Sequence, residues 1–224
     1  MAFPSLMTWL ETQWLLGRDD RPHWIEGLFL LGKLVQFSAP LIVVLVLDPG
    51  RLRLRRPCSR GMRAGVLFAL AGALGTFTLY FCFLRDSSIL GDTPAKIDTW
   101  LKTFGFDGVG GFLVFAFLMC VPHAFLEEYY WRWFLFDQLA QRMAWRRAAL
   151  VSGLAFMSHH TLVLAYYLPS HFWTVGLPLA LSVALGGYVW AAIYHQSRNL
   201  YAPWLSHLLV DAIVITVGWD MAFS

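Results

Sequence analysis

The chain has 224 residues, 58% of them hydrophobic and 14% charged, with a mean hydropathy of +0.57 and a formal net charge of +3. That balance excludes an ordinary soluble domain and puts the chain in a bilayer. The positive charge is mostly Arg in short loops, where it reports orientation in a membrane and gives no ground for nucleic-acid binding.

From the N-terminus, MAFPSLMTWLETQWLLG lacks the basic start and small-residue cleavage site of a signal peptide. Phe3, Leu6, Trp9, Leu10, Trp14 and Leu15 recur at roughly helical spacing, which predicts a short amphipathic helix lying in the membrane interface. Apolar stretches long enough to cross a ~30 Å hydrocarbon core as helix follow near 25–47, 64–84, 110–130, 148–168, 172–194 and 200–222. The predicted fold is all-α: a polytopic bundle of about six transmembrane helices plus the N-terminal helix, one domain over 1–224. Cys58, Cys82 and Cys120 are odd in number and widely spaced, so neither disulfides nor a thiolate metal site is indicated.

The loop RLRLRRPCSRGMR carries six Arg, the third loop region holds Arg132, Arg142, Arg146 and Arg147, and the fifth holds Arg198. These basic loops are expected on the cytoplasmic side. The second loop, 85–109, mixes Arg85, Lys96 and Lys102 with Asp86, Asp92, Asp98 and Asp107, and the fourth, YYLPSH, has no Lys or Arg. Both termini are then expected outside, in a multi-pass protein of the plasma (bacterial inner) membrane.

The third and fourth predicted spans carry His123, Glu127, Glu128, His159 and His160. Acids in hydrocarbon are expensive and point to function when partners can be named. At 100° per residue, Arg132 lies about 40° from Glu128 but about 140° from Glu127, so Glu128 is expected to pair with Arg132 while Glu127 points elsewhere. Phe156 and His160 share a face, as do His207 and Asp211, where the acid would hold the imidazole in one tautomer. A Glu127, His160 and His207 convergence would activate a water for attack on a peptide carbonyl and stabilise the oxyanion. Counted from the basic ends of the spans at about 1.5 Å per residue, Glu127 falls about 7 Å deep, His207 about 10 Å and His160 about 20 Å.

EExxxR at 127–132, FxxxH at 156–160 and HxxxD at 207–211, in that order on successive spans, resemble the three motifs of the CPBP family of intramembrane proteases, which includes the Ras-converting CAAX endoprotease. The resemblance covers about 110–222. It implies that Glu127 activates water with His160 as partner, that Glu128 and Arg132 complete the first motif, and that His207 and Asp211 serve the oxyanion. Asp211 stands where the CAAX endoprotease has Asn; an ionised carboxylate only accepts hydrogen bonds, so its role here is read as orienting His207. The implied activity is endopeptidase cleavage of a membrane-associated or lipid-anchored peptide or protein.

Glu127, His160 and His207 also have the make-up of a catalytic zinc site. HExxH is absent, and the resemblance implies a glutamate-activated water, so the reading is no metal cofactor, with zinc on those three residues as the alternative. His123, one turn before Glu127, is read as supporting that carboxylate, against a metal ligand or a mere neighbour. His159 is read as packing or support, and His23, His171 and His195 as interfacial. YYWRWF reads first as an aromatic belt and second as a lateral entrance for substrate; Gly153, Gly186 and Gly187 read as close helix contacts. Outside proteolysis stand a haem protein using His160 and His207, a proton relay, and an inactive scaffold.

Overall fold

The computed structural model describes residues 3–16, 23–47 and 59–223, all helices and connecting turns. Cys58, the side chain of His23 and positions 51–58 of the arginine loop lie outside the described residues. Among the described residues, six helical segments are long and apolar enough to cross a membrane: Gly27–Val46, Met62–Leu84, Gly108–Ala140, Trp145–Tyr167, Phe172–Ser197 and Tyr201–Phe223. They carry Leu, Val and Phe on their outer faces, with Leu74 at 73% and Phe83 at 67% exposure. Water would not tolerate so continuous an apolar surface, whereas acyl chains satisfy it. This is a multi-pass integral membrane protein.

In chain order, α1 (Phe3–Leu10) runs into a π-helical turn (Glu11–Leu15). It docks on the bundle: Pro4, Met7 and Thr8 are buried, Ser5 hydrogen-bonds Ser158 at 2.7 Å, and Leu6 and Trp9 face outward. Helices α2 (His23–Leu47) and α3 (Met62–Leu79) follow. The second loop contains an unanticipated helix, α4 (Thr93–Thr103), begun by Asp92 and Pro94 as helix starts commonly are. Lys96 Nζ and Thr93 Oγ1 donate to the carbonyls of Tyr166 and Tyr167 at 2.7 and 2.9 Å, satisfying the end of the fourth span.

The third span is one rod of changing pitch: α5 (Gly108–Leu118), a π turn (Met119–His123), α6 (Ala124–Glu128), a π-helical stretch (Tyr129–Phe136) and α7 (Asp137–Ala140). Pro122 lies within the first π turn; it has no N–H to give, and a widened turn is a known accommodation. Trp204 Nε1 donates to the Val121 carbonyl there at 3.0 Å. The rod runs 33 residues, ten beyond the expected end at 130. YYWRWF is therefore not an interfacial belt: Tyr130, Trp131, Arg132, Trp133 and Phe136 are buried at the centre of the bundle.

Helix α8 (Trp145–Tyr167) packs along α9 (Leu177–Ser197), and α3 along α10 (Tyr201–Phe223). The first crossing is backbone against backbone. A Cβ on Gly153 would meet the Ala184 carbonyl oxygen at 2.7 Å, and one on Gly187 would meet Gly153 Cα at 2.9 Å, so both positions need glycine. Gly186 does not: its Cβ would meet only Trp190 ring atoms, at 3.6 Å or more.

Candidate active site

The site forms where α6, α8 and α10 meet over a floor from α9. Its depths agree because the third rod continues past residue 130. From Ala140, Glu127 lies about 20 Å in, matching His160 on α8. The ion pair of Arg198 with Asp137, at 3.7 Å, levels the third and sixth spans. Glu127 is ten residues before Asp137 and His207 nine after Arg198, about 15 and 14 Å along their helices. The turn before α10 is itself inside the protein, with Ser197, Asn199 and Leu200 buried, so α10 starts below the surface.

Glu128 is fully buried and so is Arg132; Arg132 Nη1 lies 2.8 Å from Glu128 Oε1. This is the i,i+4 pair the spacing predicts, and the wider π pitch after residue 128 does not break it. Arg132 Nη2 also donates to the Gly187 carbonyl at 3.3 Å, and the guanidinium lies 4.8 Å from the ring centre of Phe156 and 5.1 Å from that of Trp190. The charge is held by one carboxylate, one carbonyl and two aromatic faces, which is how a buried Arg is made tolerable. Phe156 is thus a structural platform: fully buried, it also meets the rings of His159, His160 and His207.

Glu128 Oε1, besides its ion pair with Arg132, accepts a hydrogen bond from His207 Nδ1 at 2.8 Å. It is Glu128, rather than Asp211, that holds Nδ1 of His207. With Nδ1–H given to Glu128, Nε2 faces the other two acids: Asp211 Oδ1 at 3.5 Å and Glu127 Oε2 at 3.7 Å. Trp190 stacks on the His207 ring at 4.1 Å between centres and is tied through Nε1 to Ser206 Oγ at 3.0 Å, which in turn donates to the Gly65 carbonyl at 2.8 Å.

Glu127 is buried, 5% exposed, and its neighbours are imidazoles. The nearest described nitrogen is Nε2 of His159, 3.3 Å from Oε1. The motif residue His160 turns Nδ1 to its own helix, 3.2 Å from the Phe156 carbonyl, and its ring lies 4.1 Å from that of His159. Ligand atoms of Glu127, His159 and His160 all lie within 4.8 Å of one another, a spacing that would suit a metal ion; His207, expected in such a set, belongs instead to Glu128. His123, one turn before Glu127, packs edge-on against Phe37 of α2. His159, read from the sequence as packing or support, is the histidine that meets Glu127; which face of α8 meets α6 is not encoded in the spacing along one helix. The doubled histidine in FMSHH was the available signal.

Residues 109–213 match the sequence model of the family described as type II CAAX prenyl endopeptidase Rce1-like. The match spans all three motifs, from Glu127 to Asp211. No curated protein and no solved structure matches the chain.

Proposed function

We propose, because residues 109–213 match the model of the Rce1-like family of CAAX endopeptidases, that this chain hydrolyses a peptide bond near the carboxyl end of a lipid-anchored or membrane-spanning substrate, with Glu127 as the general base. The observation that carries this reading is one buried carboxylate with its two oxygens facing imidazoles from two other spans, His159 at 3.3 Å and His207 at 3.7 Å.

The chemistry balances on these groups. Glu127 takes a proton from water as the water oxygen bonds to the scissile carbonyl carbon. His207 acts as the imidazolium: its Nδ1–H is held by Glu128, and its second proton, on Nε2, donates to the oxyanion. Collapse breaks the C–N bond, and Glu127 returns its proton to the departing amine nitrogen. Arg132 neutralises Glu128 so that the acid gripping His207 is not an isolated buried charge. His160 lies beside His159 on the same side of the site, where it serves as the family's partner histidine for the activated water. Asp211, 25% exposed at its side chain, marks the open rim. The orientation follows from the basic loops, which face the cytoplasm and leave both termini outside.

A second reading replaces the glutamate base with a metal ion on Glu127, His159 and His160, favoured by their mutual spacing. Elemental analysis of purified protein, with cleavage assayed before and after chelation, separates the two.

The test of the principal reading is Glu127→Gln, which keeps size and hydrogen bonding but removes the base. Cleavage of a quenched-fluorescent peptide ending in a prenylated CAAX sequence, in liposomes, is expected to fall about 10²- to 10⁴-fold with folded protein unchanged. Undiminished cleavage rejects the mechanism, and so rejects Glu127 as base.

A further inference from the structure

The histidine before the motif histidine is placed as no packing requirement explains. His159 is 8% exposed and its ring is fixed on several sides: Trp131 lies parallel to it at 5.7 Å and 6°, Phe156 meets it edge-on at 5.3 Å, and His160 flanks it at 4.1 Å. Trp131 and Phe156 are themselves essentially inaccessible. The ring has no freedom to turn, so the direction of Nε2 is set by the fold. That nitrogen meets Glu127 Oε1 at 3.3 Å, while Nδ1 is buried without a hydrogen-bond partner among the described residues. A purely structural ring in this aromatic nest would be better made by Phe, which leaves no buried nitrogen unsatisfied. The polar ring is explained by its one polar contact.

We infer that His159 is the positioning residue of the site: its Nε2–H donates to Glu127 Oε1 and locks the carboxylate so that Oε2 is the oxygen left to work beside His207. A glutamate has three side-chain torsions, and anchoring one oxygen against a ring that cannot rotate fixes where the other points. The motif histidine, His160, is unsuited to this task in the observed geometry, because Nδ1 is committed to the Phe156 carbonyl and the side chain is only partly buried. The two adjacent histidines therefore divide the work, His159 aiming the base and His160 lining the accessible side. This inference rests on the reading of Glu127 as the base.

The experiment compares the parent, Glu127→Gln, His159→Phe and His159→Gln in liposomes, using the prenylated CAAX peptide and thermal unfolding in detergent. Phe keeps the stacked ring and removes the donor. Gln removes the ring and keeps an N–H donor near the position of Nε2. His159→Phe is expected to stay folded and to lose about 10- to 100-fold in kcat with KM little changed. His159→Gln is expected to recover about tenfold or more of that loss, although it packs less well. Full activity in His159→Phe with an inactive Glu127→Gln overturns the positioning role and leaves the general base standing. Equal loss in Phe and Gln variants that are both folded, or a stoichiometric metal that Gln fails to hold, overturns donation in favour of another role for the ring. An active Glu127→Gln removes the base and the positioning role with it.

Discussion

Replacing Arg132 by Leu removes the cation from the centre of the bundle and keeps most of the side-chain volume. Four interactions go: the 2.8 Å pair with Glu128, the 3.3 Å hydrogen bond to the Gly187 carbonyl, and the contacts with the Phe156 and Trp190 rings. Both charged side chains are at 0% exposure, so no solvent replaces the guanidinium. Breaking a buried pair from one side costs about 3–5 kcal/mol, because the remaining charge is left uncompensated. Here Glu128 retains the His207 hydrogen bond, which puts the expected loss toward the lower end, about 3 kcal/mol. Reversible unfolding in mixed micelles measures it. The double variant Arg132→Leu with Glu128→Leu removes both charges and is expected to regain most of that stability while remaining inactive, since His207 then has nothing at Nδ1. A loss below about 1 kcal/mol in the single variant, or a double variant less stable than the single, would refute the account of a desolvated pair that exists to hold His207.

Three further outcomes are expected. Gly153→Ala presses a methyl group into the Ala184 carbonyl and should cost about 1–3 kcal/mol, whereas Gly186→Ala, with open contacts, should leave unfolding unchanged; equal effects would mean that the α8–α9 crossing is looser than observed. Ser206→Ala strips a partner from both Trp190 and the Gly65 carbonyl and should destabilise by about 1–3 kcal/mol, and adding Trp190→Phe should recover part of this in the same unfolding assay. In a cysteine-free background, Met143→Cys should react with an impermeant thiol reagent only from the cytoplasmic side and Ser88→Cys only from the outside. The reverse pattern would invert the orientation.

Much of the fold was legible because its rule is one-dimensional. A chain in hydrocarbon must satisfy every backbone group within its own helix, so the length of each apolar run fixes a span, and six were found at nearly the expected places. The third was misjudged at its end. Polar and aromatic residues after 130 read as an exit from the membrane, yet Arg132 has its counter-charge inside and the π-helical stretch carries the rod on to Ala140. The α4 helix went unread although Asp92 and Pro94 mark its start.

The chain's own hydropathy and periodicity determined the class of protein, the acid that pairs with Arg132 and the three motifs, since all of these depend on composition and spacing along single helices. Only tertiary structure decided that Glu128 grips His207, that His159 rather than His160 meets Glu127, and that Asp211 stands at Nε2 rather than Nδ1. Those choices turn on how α6, α8 and α10 are rotated and raised against one another. That rotation and height are set by contacts between distant segments, such as glycine against glycine at 153 and 187 and the Arg198–Asp137 pair, which no local pattern encodes.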